Sequence, residues 1–224
     1  MIVALDGVTG SGKSGICKRI AKNLGFTYIR TGSFYRAIAY KVLQNNINWQ
    51  NKPAIKKLLT NTKIEYFYKN EHVTLLLDGT DISNFINSPE VSTYASKVAT
   101  LPIVRDYVKV LQQQAASYNQ NIIMEGRDIG SVIFPNADIK FYIDCEINER
   151  AKRRVEQYAK NGVTVDFEQI KQDILARDKE DMERKHSPLI RLPEAYYLDT
   201  TNLSMDACVD IVAKQIKIKQ KNNS

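Results

Sequence analysis

Cysteine and histidine are scarce in this 224-residue sequence. The three cysteines, Cys17, Cys145 and Cys208, are odd in number and far apart, so they outline no disulfide framework. No pair has metal-ligand spacing, and His72 and His186 are the only histidines, which argues against a zinc site. Buried, reduced thiols in a cytosolic protein are the expectation. No apolar run approaches the roughly 20 residues of a membrane span. No basic leader or cleavage site precedes the first strand pattern, so a cytoplasmic location without membrane attachment is expected. Internal repeats and low-complexity linkers are also missing, and the length suits a single domain over residues 1–224.

Apolar residues make up 43% of the chain, enough for a buried core, and the formal net charge is +7. Such a balance suits nucleic acid, a membrane surface or small polyanions, and the position of the charges must decide. The basic tail Lys214, Lys217, Lys219 and Lys221 is sparse and carries no interleaved aromatics, which fits a solvated helix end.

Five short apolar segments read as strands: Ile2–Leu5, Thr27–Ile29, Ile122–Met124, Ile139–Ile143 and Tyr196–Leu198. Helical patterns separate them, and that alternation predicts a parallel sheet covered on both faces. Gly25 is a fitting stop for the first helix, and Ser204-Met205-Asp206 starts the last, whose apolar residues Cys208, Ile211, Val212 and Ile216 mostly follow one face. Residues 62–87 break the alternation. Ile64–Tyr68 and Val73–Leu77 flank Lys69-Asn70-Glu71-His72 as a hairpin, and Asp78-Gly79 is a second turn signal, together a small β insertion. Asn161-Gly162 marks a turn between two charged helices.

Gly7-Val8-Thr9-Gly10-Ser11-Gly12-Lys13-Ser14 matches the P-loop pattern G-x-x-x-x-G-K-[ST] at every fixed position. A strand pattern leads into it and a helical pattern leaves it. Glycines let backbone N–H groups turn inward around phosphate oxygens, Lys13 adds a mobile positive charge, and the Ser14 hydroxyl can ligate Mg²⁺.

Four further blocks carry charge. Glu125-Gly126-Arg127-Asp128-Ile129-Gly130 follows a core strand, where open parallel sheets bind ligands. Arg127 can fork onto a phosphate and Asp128 can accept from a base amino group, although a structural ion pair would use the same residues. Thr31-Gly32-Ser33-Phe34-Tyr35-Arg36 starts a helix that Thr31 can cap, with Arg36 one turn on from Ser33. Arg150, Arg153 and Arg154 have spacings that put them along one helix face, either solvated or as a mobile lid over transferring phosphates. Arg177, Asp181 and Arg184 share another face, suited to a phosphate and a ribose hydroxyl or to a surface ladder of ion pairs.

In this order the blocks resemble the bacterial cytidylate kinases, a branch of the nucleoside monophosphate kinases. The resemblance runs from Asp6-Gly7…Gly12-Lys13-Ser14 and Thr31-Gly32…Tyr35-Arg36 through Ser96…Pro102…Arg105 and Gly126-Arg127-Asp128-Ile129-Gly130. It ends with Glu149-Arg150-Ala151…Arg153-Arg154 and Arg177-Asp178…Asp181…Arg184…Pro188-Leu189. It implies an α/β fold of the P-loop NTPase type: a parallel five-stranded sheet flanked by helices, a β-containing CMP-binding region at about residues 31–105 and a short helical lid at about 149–185. It also implies phosphoryl transfer from ATP to CMP or dCMP with Mg²⁺, by a monomer without a nucleic-acid partner. ATP would be held by Gly7, Val8, Thr9, Gly10, Ser11, Gly12, Lys13, Ser14 and Gly15, with Ser14 on the metal. Ser96, Arg105 and Asp128 would recognise cytosine, with Thr31 facing the same substrate. Arg36 and Arg127 would hold the CMP phosphate. Asp181 would bind the ribose, with Arg177 and Arg184 near sugar and phosphate. Lys13, Arg127, Arg150 and Arg154 would serve the transfer itself.

The chain departs from the family pattern twice. Arg30 stands where an acid is usual, and Gly15 stands where a second hydroxyl residue is usual. A kinase of the same fold acting on UMP, AMP or another small acceptor remains an alternative, as does a P-loop protein that binds nucleic acid.

Overall fold

The computed structural model describes residues 1–160 and 162–222; Asn161, half of the expected Asn161-Gly162 turn, lies outside the described residues. The elements run β1 (Ile2–Gly7), α1 (Lys13–Leu24), β2 (Thr27–Arg30), α2 (Gly32–Gln44), α3 (Lys52–Thr60), β3 (Ile64–Lys69), β4 (His72–Leu77), β5 (Thr80–Asp81), α4 (Pro89–Val98) and α5 (Pro102–Ser117). They continue with β6 (Ile122–Gly126), a π-helical turn at Ile129–Ile133, β7 (Ile139–Asp144), α6 (Ile147–Lys160), α7 (Phe167–Glu183), β8 (Tyr196–Asp199) and α8 (Met205–Asn222). Five parallel strands form the large sheet in the order β2-β6-β1-β7-β8, and β3-β4-β5 form a small antiparallel sheet. All five strands expected for the large sheet are present, and each runs one or two residues further at its carboxyl end. Those extra residues are Asp6, Gly7, Arg30, Glu125, Gly126, Asp144 and Asp199. Polar residues thus continue the ladder where an apolar pattern stops.

The chain forms two compact units, Met1–Phe26 with Ile123–Ser224, and Thr27–Ile122. In the first, Val3, Ala4 and Leu5 of β1 are fully buried, the continuous apolar run of a strand covered on both faces. β1 pairs β7 with Leu5 opposite Phe141 and Gly7 opposite Ile143. Ile16, Cys17, Ile20 and Ala21 form the buried face of α1, which ends at Gly25 in a left-handed conformation (φ 70°). All three cysteines are free thiols and buried. On α8 the buried residues are Cys208, Val209, Val212 and Ile216, while Ile211 is 40% exposed. The 100° step per residue puts Val209 inside the stripe centred on Cys208 and Val212 and turns Ile211 out, correcting the expected face. α6 and α7 share a small apolar seam of Ala151, Ile170 and Ile174, flanked by Val155, Tyr158 and Phe167.

In the second unit, Pro89 and Pro102 occupy the first positions of α4 and α5, where a missing N–H costs nothing. The Ser88 side chain accepts from the Val91 N–H, and Asn51 accepts from Ala54 ahead of α3. The expected hairpin pairs Lys69 with His72 across Asn70 and Glu71, both with positive φ (52° and 66°). That is the turn geometry that matches strand twist. Asp78 and Gly79 repeat it (φ 51° and 85°) before β5. Thr31 precedes α2 with helical backbone angles (φ −63°, ψ −33°), and its side chain makes no capping bond. A capping residue must itself be extended for its side-chain oxygen to reach the N–H groups of the first turn, and Thr31 is helical, so the expected cap is not made.

Candidate active site

Between β1 and α1 the P-loop is held by contacts that only its own residues allow. Gly7 has φ 151°, and a Cβ there would lie 2.0 Å from the Ile143 carbonyl oxygen, so no side chain fits. The Ser11 hydroxyl donates to the Val8 carbonyl at 2.9 Å. Lys13 is buried, and its Nζ donates to the Gly7 oxygen (2.9 Å), the Val8 oxygen (2.5 Å) and Ser11 Oγ (3.1 Å). Burial pulls its pKa down to about 7, and the Arg127 charge pushes the same way; Glu125, Asp178 and Asp6 resist. The Ser14 hydroxyl shares its proton with Glu125, 2.6 Å from Oε1 and 2.7 Å from Oε2. The P-loop serine therefore meets a buried carboxylate from the end of β6.

Arg127, just past that strand, donates from Nε to Asp181 (2.7 Å) and from Nη2 to Thr9 Oγ1 (3.0 Å). Arg184 takes the other Asp181 oxygen at 2.9 Å and donates from Nε to the Ser187 carbonyl. Burial works to raise the Asp181 pKa, but the charges of Arg127, Arg184 and Arg177 outweigh it and hold the carboxyl below its usual range. Burial likewise opposes the Arg127 charge, and Asp181 overcomes it and raises the guanidinium pKa. Arg177 is exposed one turn before Asp181. Asp128 is buried, and its carbonyl accepts from Val132 and Ile133 at the start of the π-helical turn. Asp6 accepts from the Ile129 and Gly130 N–H groups at 2.9 and 2.8 Å. Burial raises its pKa to about 6 against those two donors.

The arginines of α6 go three ways instead of sharing one face. Arg150 turns inward, donating to the Thr9 carbonyl (3.0 Å) and pairing with Asp178. Arg153 pairs with Glu149 (2.9 Å) and donates to both Thr200 Oγ1 and the Thr200 carbonyl. The Thr200 hydroxyl in turn donates to the Ser11 carbonyl at 3.0 Å. Arg154 stays along its own helix, on Gln157 Oε1 (2.9 Å) and over the Tyr158 ring. Three long side chains within five positions find three separate sets of acceptors, which spacing alone does not reveal.

Within the second unit, Arg36 donates from Nη1 to the Ile86 carbonyl (3.2 Å) and to Asn87 Oδ1 (3.1 Å). Arg30 reaches the same Asn87 oxygen at 3.5 Å, so the residue that replaces the usual acid stands beside Arg36. Arg105 is buried, donates to the Ala99 carbonyl (3.2 Å) and lies over the Tyr35 ring. The Ser96 hydroxyl donates to the Ser92 carbonyl one turn back on α4. Thr31 is buried at the start of α2.

Four contributors escaped the motif reading. Glu125 was seen only as part of a charged turn, and Asp178 only as a neighbour of Arg177. Asp6 enters the family pattern only as the residue ahead of Gly7, with no role of its own, and Thr200 carries no signal beyond polarity after a strand. The second departure has a local cause: a Cβ on Gly15 would lie 2.7 Å from Met205 Cε. The thioether of α8 occupies the space of the missing side chain.

A family model described as cytidylate kinase matches residues 3–218. The chain is 39% identical over 221 residues to a cytidylate kinase from Fusobacterium nucleatum, covering 97% of each chain. It is 36% identical over 223 residues to one from Carboxydothermus hydrogenoformans, covering 100% of this chain and 99% of the relative. A cytidylate kinase from Thermodesulfovibrio yellowstonii is 40% identical over 220 residues, with 96% and 97% covered. Among solved structures, an uncharacterized protein from Eubacterium ventriosum superposes with a TM-score of 0.54 at 14% identity, covering 97% of this chain and 98% of that one, a likeness of fold alone. With the P-loop, the Arg127–Asp181–Arg184 cluster and full-length relatives at this identity, the chain belongs to the cytidylate kinase family.

Proposed function

We propose that this protein transfers the γ-phosphoryl group of ATP to CMP or dCMP, giving ADP and CDP or dCDP. The observation that carries the reading is the P-loop held between Lys13 and the Ser14–Glu125 pair, in a chain of this family. Phosphoryl transfer asks little covalent work of a protein; it needs alignment, charge neutralisation and exclusion of water. Amides of Gly10 to Ser14 and the Lys13 ammonium hold the donor phosphates. Arg127 and Arg36 hold the acceptor phosphate. Asp181 takes the ribose, and Ser96, Arg105 and Asp128 read the cytosine. Arg150 and Arg154 serve as lid groups on α6, with Arg177 and Arg184 near sugar and phosphate. No side chain is required as a general base, because a phosphate monoester is largely ionised at neutral pH.

Mg²⁺ fits the donor set. The Ser14 hydroxyl and Glu125 carboxylate are hard oxygen donors, and Mg²⁺ is commonly held by one or two protein groups together with phosphates and water. When bound, the ion neutralises charge on the donor phosphates. The reading extends to a monomer acting in the cytoplasm; light scattering checks the first part. Among the described residues no helix is long and apolar enough to cross a membrane.

A coupled assay of ADP release tests the function directly, with CMP, dCMP, UMP and AMP as acceptors. CMP or dCMP turning over far faster than UMP and AMP is the expected result. Preference for AMP or UMP would move the chain to a related kinase, and salt-sensitive oligonucleotide binding without turnover would favour a nucleic-acid role.

A further inference from the structure

We propose that Asp178 is a positioning residue for this transfer, aiming the Arg150 guanidinium at the P-loop through Thr9. The proposal rests on the ATP and CMP reading above. Asp178 on α7 and Arg150 on α6 are 5% and 7% exposed. Asp178 Oδ1 accepts the Thr9 N–H at 2.8 Å, while Oδ2 pairs with Arg150 Nη1. The same Nη1 donates to the Thr9 carbonyl at 3.0 Å. One ion pair thus holds both backbone polar groups of Thr9, the third residue of the P-loop motif. The Thr9 hydroxyl is held separately, by Arg127.

Two features separate this from an ordinary structural ion pair. First, Arg150 is not saturated: its Nε is buried and has no acceptor among the described residues. A buried guanidinium N–H without a partner is costly and suits an incoming phosphate oxygen. Second, the pair is neutral as a unit. A lone carboxylate against a P-loop amide would repel a triphosphate, whereas Asp178 compensated by Arg150 does not. The carboxylate fixes the direction of Arg150 and depends on it to be tolerated there.

Four proteins test this: the parent, Asp178→Asn, Arg150→Ala and the double variant. Asn keeps an acceptor for the Thr9 N–H and removes the charge. Each is measured for MgATP affinity by equilibrium titration and for single-turnover transfer to CMP. Asp178→Asn should slow transfer by about tenfold or more through lost orientation, with ATP affinity much less affected. In the Arg150→Ala background the same change should slow transfer no further, because the group it orients is gone. There it should also tighten ATP binding, by removing an uncompensated negative charge. Asp178→Asn transferring within about twofold of the parent, or losses that multiply as for independent sites, would overturn the proposal. So would failure of Asp178→Asn to fold, which would assign the carboxylate to stability alone. A parent that binds ATP but uses no nucleoside monophosphate would overturn the proposed function instead. The ATP titrations would then decide on Asp178: tighter ATP binding on adding Asp178→Asn to Arg150→Ala supports the proposal, and no tightening overturns it.

Discussion

The Ser14 hydroxyl lies 2.6 and 2.7 Å from the two Glu125 carboxylate oxygens, joining the start of α1 to the end of β6. A buried carboxylate at the P-loop serine has a cost unless something positive shares the site. Glu125→Gln keeps an oxygen for the Ser14 proton and removes the charge. We expect the Mg²⁺ concentration for half-maximal turnover to rise, with ATP affinity measured in EDTA nearly unchanged. A Mg²⁺ titration of initial rates checks this, and an unchanged midpoint would separate Glu125 from the metal.

Lys13 should take up a proton when ATP binds. Its pKa in the free protein is drawn down to about 7 by burial, from the usual 10.5. Donor phosphates favour the charged form and raise that value. At pH 8 a sizeable share of Lys13 is neutral before binding and charged after it, so the complex gains protons; below about pH 6 the group is already charged and uptake vanishes. The same shift acts on folding. A depressed lysine pKa contributes stability above pH 10.5 that is lost as pH falls through about 7. Calorimetric titrations of ATP at pH 8 in buffers of different ionisation enthalpy measure the uptake, and Lys13→Ala should remove it. Lys13→Ala should also slow turnover by about ten- to a hundredfold, the worth of one charge-assisted hydrogen bond.

The P-loop, the strand order along the chain and the hairpin turns were legible because each depends on residues close in sequence. Asp178 was not. Its partner Thr9 is 169 residues away, and within Arg177–Arg184 the helical spacing favours Arg177, Asp181 and Arg184. Asp178 instead continues the four-residue spacing of Ile170 and Ile174 on the buried face of α7, where a carboxylate rather than an apolar residue breaks the pattern. Strand ends were read short for a related reason. Asp6, Glu125 and Asp144 interrupt the apolar pattern, yet their backbones stay in the ladder while their side chains serve the carboxyl edge of the sheet. The α6 arginines show the limit of facial reasoning, since Arg150 and Arg154 are one turn apart and end on unrelated partners.

Gly15 and Met205 should be coupled in stability. Replacing a helical glycine by alanine gains up to about 1 kcal/mol. In the parent, the new Cβ must displace the Met205 methyl from 2.7 Å. Methionine is flexible, so the displacement is tolerated but offsets part of the gain. Gly15→Ala should therefore raise Tm more in a Met205→Ala background than in the parent. Equal increments from thermal melts of the four proteins would show that Met205 yields without cost.

Arg127→Ala should damage transfer more deeply than Arg30→Ala. Arg127 is 18% exposed at its side chain and fixed between Asp181 and Thr9. Its loss leaves Asp181 still paired with Arg184, so the change removes charge-assisted hydrogen bonds rather than stranding a charge, at about 1.5–3 kcal/mol for the bond to Asp181. Arg30 has a weaker hold: a 3.5 Å approach to a neutral amide oxygen that Arg36 already occupies at 3.1 Å. Removing it should cost under about 1 kcal/mol if it acts only as a surface charge. Yet two guanidinium groups meeting on Asn87 could also share an anion, which makes the comparison decisive. Single-turnover rates at saturating ATP and CMP, with melting curves to separate folding from catalysis, rank the two variants. A larger loss for Arg30→Ala would mean that the turn after β2 carries phosphate-binding work in this chain, and that replacing the usual acid has moved charge into the acceptor site.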